Sequence, residues 1–183
     1  MRKGPFDFWL KNGLLEFEQG DVKIFTVDGQ NYLFIDQVLY ASTDERPWYI
    51  RNVYPHARGK CLEIGLGLGA ASRVILSNPA VTTLLTLESN PDVISAFGDT
   101  FRHHLLLNMD VNTWVESAVH AGPIYDFIFV DHFAEMDEEF YPELKELVDT
   151  LKLNLKEDGK LVVWIDEHAA DEDREAYRKL WVV

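Results

Sequence analysis

One cysteine is all that the 183 residues contain, so no internal disulfide can form. Cys61 lies in an apolar stretch, and a reducing cytoplasm is the simplest setting for such a chain. Long apolar runs are absent too: none approaches the ~20 residues that a membrane span needs. Met1-Arg2-Lys3 is basic, but Gly4-Pro5 and Asp7 follow where the apolar core of a secretory signal would begin. Basic side chains are scarce, with 17 Lys and Arg against 31 Asp and Glu and a formal net charge of −14. That field repels phosphate backbones, which argues against nucleic acid as a partner, and it attracts cations such as amines or guanidines. The six histidines show no metal-ligand spacing with one another or with Cys61, so no metal is expected. What the chain does have is a hydrophobic fraction of 47%, enough for one compact body with a sizeable core.

Two regions differ in pattern. In residues 1–55, Val22, Ile24 and Thr26 alternate with Lys23 and Phe25, Asp28-Gly29 follows, and "NYLFIDQVLYA" comes next. Asp-Gly between β-rich runs signals a hairpin, because both turn positions take positive φ. Pro47 ends this region, and "RPWYIRNVYP" opens a lead-in helix. Residues 56–183 alternate strand and helix patterns. The strands are "KCLEIGL", "VTTLLTLES", "HHLLLNMD", "YDFIFVDHF" and "EDGKLVVWIDE". The helices are expected over 69–77, 91–101, 111–121, 138–155 and 171–180. Repeated βα units imply a mostly parallel, doubly wound Rossmann-like sheet, here with an N-terminal β-hairpin layer. Only "KLWVV" remains after the last helix, so the sheet reads as shortened at its C-terminal side. An open edge there would suit a homodimer.

Ligands of such sheets bind beyond the C-terminal strand ends. Acids cluster there: Glu63, Glu88, Asp110 and Asp131 stand at the ends of the first four strands, and Asp166 and Glu167 at the fifth. The glycines of "CLEIGLGLGAAS", Gly65, Gly67 and Gly69, read as a tight strand-to-helix turn. Gly65-x-Gly67-x-x-Ala70 satisfies a dinucleotide fingerprint, with Glu88 about where a ribose-binding acid is expected. Glu63, directed at the turn, would repel a pyrophosphate and attract an ammonium. S-adenosylmethionine has an ammonium, a sulfonium and no phosphate. On this reading the glycines let the backbone approach the nucleoside, Glu88 takes the ribose diol, and Asp110 accepts from the adenine amino group.

These segments resemble the class I S-adenosylmethionine-dependent methyltransferases. "LEIGLGLGAAS" is similar to their first motif, "LLTLESN" to the acidic second-strand motif, "NMDVNTW" to the adenine segment and "YDFIFVDHF" to the fourth-strand motif. The front region, with "LFIDQVLYASTDERPWY" before the glycine strand, resembles the spermidine synthases, which are polyamine aminopropyltransferases. In that family such a segment lines the amine site, and Asp36, Asp44, Glu45 and Tyr49 fall where it carries polar residues. Leu68 stands where that family's glycine loop has an aspartate, and "DHFAE" keeps Asp131 without the family's second acid in register.

The resemblance implies an S-adenosylmethionine-dependent transferase acting on a small, cationic or amine-like acceptor. Methyl transfer fits the glycine loop best. Aminopropyl transfer from decarboxylated S-adenosylmethionine is the alternative, and a non-catalytic nucleoside-binding module is a third. Asp131 and the adjacent His132 are the candidate bases. Tyr49 and Trp48 are candidates to wall a cation with their ring faces, and Glu167 to flank the acceptor.

Overall fold

The structure, a computed structural model, describes residues 6–97, 104–118, 122–132 and 140–183. Helix α1 (Phe6–Asn12) leads into four antiparallel strands: β1 (Leu14–Gln19), β2 (Val22–Val27), β3 (Gln30–Ile35) and β4 (Val38–Ser42). Asp28 and Gly29 both have positive φ, as the Asp-Gly signal requires. A second tight turn, Asp36-Gln37, also has positive φ at both positions and splits "NYLFIDQVLYA" into two strands. The sequence pattern did not mark it, because Gln is uncommon in such turns.

This front sheet is apolar on both faces. Trp9 of α1 packs with Phe25 and Phe34 on one face. On the other, Val22, Ile24 and Leu33 pack with Leu66 of the glycine turn and with Val93. A single helical turn (Thr43–Glu45), capped by Ser42, then leads into helix α2 (Arg46–Asn52).

The second sheet is parallel, with strands β5 (Gly59–Ile64), β6 (Val81–Glu88), β7 (His104–Asn108), β8 (Tyr125–Val130) and β9 (Leu155–Val163) in the order β7-β6-β5-β8-β9. The connecting helices are α3 (Ala70–Leu76), α4 (Pro91–Phe97), α5 (Val111–Ala118) and α6 (Tyr141–Leu151), and α7 (Asp171–Arg178) follows β9. Helices cover both sides of this sheet. Central β5 and β8 are almost wholly buried, and each large side chain such as Phe127 or Phe129 contributes roughly 1.5–3 kcal/mol by leaving water.

The helix expected over 138–155 is shorter: it ends at Leu151, a turn of 3-10 helix follows, and Leu155 already pairs with Tyr125 as the start of β9. Residues 98–101 and 119–121 of two other expected helices lie outside the described residues. The C-terminal segment adds one antiparallel bridge, Leu161 to Val182, with both hydrogen bonds at 2.8 Å. Trp181 Nε1 donates to Val163 O beside it. The outer edge of β9 is thus partly paired within the chain. Among the described residues, no helix is long and apolar enough to cross a membrane.

Strand order reverses between β6 and β8 on either side of β5. In open α/β sheets the ligand crevice lies at such a switch point, here the C-terminal ends of β5 and β8.

Candidate functional site

The turn after β5 is held by its neighbours. The N–H of Leu66 donates to Glu88 Oε2 at 3.0 Å, and the N–H of Asn90 to Glu88 Oε1 at 2.8 Å. Gly65 has φ +87°, and a Cβ there would sit 2.0 Å from the carbonyl oxygen of Asp131. Gly69, at φ +63°, would drive a Cβ to 1.8 Å from the Phe97 ring. At Gly67 the nearest atom is Ala41 Cβ of the front sheet, at 3.0 Å. All three glycines are therefore required by protein atoms packed against the turn. This differs from the expectation that their bare faces admit the nucleoside. Leu66 is buried under the front sheet, and Leu68 packs at the edge of the same cluster.

Glu88 is nearly buried, and each of its oxygens retains a lone pair beyond its backbone partner. Asp110, at the end of β7, accepts from the N–H groups of Asn112 and Thr113 through Oδ1 and caps α5. The two acids stand at the ends of adjacent strands, Glu88 bonded to the turn and Asp110 one strand further out.

Glu63 is placed otherwise than expected. It is wholly buried rather than presented to the crevice. The hydroxyls of Ser72 and Thr86 donate to its Oε2 at 2.5 and 2.6 Å, and Thr86 Oγ1 lies 2.8 Å from His104 Nε2. Burial outweighs these donors, Glu88 adds like-charge repulsion, and the Glu63 carboxyl is pushed up to about 7. The sequence carried one signal for this cluster: Thr86 is a polar residue set among Leu84, Leu85 and Leu87 in β6.

Asp131 follows β8 at the switch point. Tyr49 Oη lies 3.3 Å from Asp131 Oδ2 and 3.2 Å from Glu45 Oε2. The structure thus brings the front segment against the fourth strand end, and Glu45 joins the constellation. Burial and the charges of Glu45, Glu63 and Glu88 raise Asp131 well above the usual carboxylate range, against the opposing Tyr49 hydrogen bond. Tyr49 is itself buried, and its phenol is raised above its ordinary value by burial and by the same two acids.

His132 is half-buried, and burial lowers its pKa against the charges of Asp110, Glu143 and Glu88. It shares Glu88 with Asp131 but otherwise faces Asp110 and Glu143 rather than Glu45 and Glu63. Trp48 is a correction: its ring lies in the core between Phe129 and Trp181, so it does not wall the crevice. Glu167 is exposed and pairs with Arg51 at 2.5 Å across the end of α2. Among the described residues, no group of three or more His, Cys, Asp or Glu has a metal-binding arrangement.

This architecture can be matched to solved structures. The chain has the fold of the spermidine synthases and of S-adenosylmethionine-dependent methyltransferases. Spermidine synthase from Thermotoga maritima is 19% identical, with 91% of this chain and 62% of that one covered, at a TM-score of 0.68. A spermidine synthase in complex with the transition-state analogue AdoDATO is 20% identical, with 91% and 64% covered, at 0.70. A protein designated a SAM-dependent methyltransferase from Streptococcus mutans is 16% identical, with 91% and 47% covered, at 0.55. The chain spans less than two thirds of the length of each. No family model and no curated protein matches it.

Proposed function

We propose that the chain binds S-adenosylmethionine at the turn after β5 and transfers its methyl group to a small amine-like acceptor. The observation that carries this reading is the pair of acids at adjacent strand ends, Glu88 and Asp110, each with acceptor capacity left over beside a turn that Glu88 itself braces. The residues present fit the group: Glu88 would take the ribose hydroxyls and Asp110 the adenine amino group. S-adenosylmethionine supplies an electrophilic methyl on a sulfonium.

The protein's part is position and charge. Gly65, pressed on the Asp131 carbonyl, fixes the turn relative to the fourth strand end. Tyr49 reaches Asp131 from the other side, so the acceptor side is built jointly by α2 and β8. Asp131 would orient an amine and take its proton when ionised. Excess negative charge around the crevice favours a cationic acceptor.

One observation favours a second reading. Glu45 and Tyr49, from the front segment, meet Asp131 in a constellation suited to holding an amine, and both spermidine synthases match with higher TM-scores than the methyltransferase. Aminopropyl transfer from the decarboxylated donor is that alternative. Leu68 argues against it, since the turn offers an apolar side chain there.

Calorimetric titration of S-adenosylmethionine, its decarboxylated form and NAD decides among these. Preference for S-adenosylmethionine supports methyl transfer. Tight binding of the decarboxylated form alone moves aminopropyl transfer to first place. Preference for NAD overturns both. Binding without turnover of any polyamine or guanidine leaves a nucleoside-binding module.

A further inference from the structure

Glu45, Tyr49 and Asp131 meet through a single phenol. Tyr49 Oη is within 3.3 Å of a carboxylate oxygen on each side, yet it holds one proton. With both acids ionised, one carboxylate would face the lone pairs of the phenol oxygen with no proton between them, an arrangement that is costly when half-buried. One extra proton resolves the contact, and the surroundings decide which acid takes it. Glu45 is held at the third position of the capping box of Ser42, where its carboxylate also accepts from the Ser42 N–H at 3.4 Å. Asp131 has Glu45 and Tyr49 facing it from the front segment, Glu63 from β5, Glu88 from β6, and His132 beside it.

We propose that Glu45 directs the Tyr49 proton, so that Asp131 keeps its own proton in the empty crevice and gives it up when a cation enters. The proposal rests on the functional reading above and specifies how its base is regulated. In the empty site the Asp131 O–H donates to Tyr49 Oη, and the Tyr49 O–H donates to Glu45 Oε2. Like charges from Glu45, Glu63 and Glu88 hold the Asp131 proton in place. A positive charge among these acids reverses the balance. The Asp131 O–H bond then breaks, the proton passes to solvent, and the carboxylate left behind faces the cation. Asp131 thereby becomes a base only in the loaded site. Glu45 is a positioning residue, acting through Tyr49.

Two measurements on the full chain test this. The first is calorimetry at pH 7 in two buffers of different ionisation enthalpy, with S-adenosylmethionine and with S-adenosylhomocysteine, which lacks the sulfonium charge. The expected result is a larger fraction of a proton released with S-adenosylmethionine, and a smaller difference between the two ligands in Glu45→Gln. Equal proton release for the two ligands in the wild type overturns the proposal.

The second is a carbon-13 carboxyl titration of the ligand-free chain, with the Asp131 resonance assigned by its loss in Asp131→Asn. Asp131 is expected to titrate above the ordinary carboxylate range and to move down in Glu45→Gln. Titration of Asp131 in the ordinary range, or no movement in Glu45→Gln, overturns the proposal whatever the chain binds. Failure of both nucleosides to bind counts against the functional reading, while the carboxyl titration still decides where the proton sits.

Discussion

The N–H of Leu66 donates to Glu88 Oε2 at 3.0 Å, so the turn after β5 hangs from the acid that ends β6, 22 residues away. The same acid holds the N–H of Asn90 with its other oxygen. Glu88 therefore braces the loop, and it is the acid proposed to take the ribose. Replacing it with Ala removes a charged acceptor from two backbone donors, each such bond being worth about 1.5–3 kcal/mol. Glu88→Ala is expected to weaken S-adenosylmethionine binding at least about tenfold, equivalent to ~1.4 kcal/mol. Calorimetric titration checks it, and an unchanged affinity refutes the ribose role.

Gly65 is the glycine of the turn that is pressed against backbone rather than against a side chain. Its φ of +87° and the Asp131 carbonyl oxygen, 2.0 Å from where a Cβ would stand, are both backbone constraints. Neither can relax by a side-chain rotation. Gly65→Ala is expected to lose several kcal/mol of stability, on the order of 3 or more. Gly29→Ala, at φ +76° with open space around it, should lose only the cost of a left-handed residue, about 1–2 kcal/mol. Urea midpoints of the two variants compare them directly. Equal losses would mean that the Asp131 carbonyl imposes no constraint.

Tyr49→Phe keeps the ring, which packs edge-on against Trp48 and Phe129, and removes only the hydroxyl. Stability should fall by about 1 kcal/mol, the usual net value of one hydrogen bond. If Asp131 is the base, turnover should fall by a factor on the order of 10². The pH–rate profile should also shift, because Asp131 loses the hydroxyl through which it is coupled to Glu45. Equal rates and equal profiles would separate Tyr49 from the chemistry.

Much of this architecture is written in local patterns. Val22-Ile24-Thr26 alternation, the Asp28-Gly29 turn and the apolar runs around Glu63, Thr86 and Phe127 each specify their own element. What the sequence hides is set by contacts between distant segments. Glu63 looks like a strand-end charge until Ser72 and Thr86, from α3 and β6, are seen to enclose it. Trp48 beside Tyr49 reads as an aromatic pair, but successive helix positions point about 100° apart, so one ring enters the core and the other meets Asp131. The three glycines advertise a ligand loop, whereas their bare faces meet Asp131, Ala41 and Phe97. Leu155 continues the helical spacing of α6 yet belongs to β9, because pairing with Tyr125 overrides periodicity at a junction.

The burial of Glu63 makes stability depend on pH in a stated direction. Two hydroxyls donate to Oε2, while Oε1 has no hydrogen-bond partner among the described residues. The carboxyl is pushed from an ordinary 4.5 to about 7. The folded state therefore binds this proton more tightly than the unfolded chain does. Its contribution to stability is complete below the unfolded value and is lost as pH rises through the folded one. The window runs from pH 4.5 to about 7, and the size is on the order of 3 kcal/mol. Other acids shift oppositely: Asp126, held by Lys156 and the Lys60 N–H, has a lowered pKa and contributes stability that disappears as pH falls. Glu63→Gln isolates the one group, since Gln keeps the shape and cannot titrate. Urea unfolding at pH 5 and pH 8 should show wild-type stability falling relative to Glu63→Gln as pH rises. Curves that stay parallel across that interval would mean that Glu63 is already ionised at pH 5, with the burial penalty met by Ser72 and Thr86 alone.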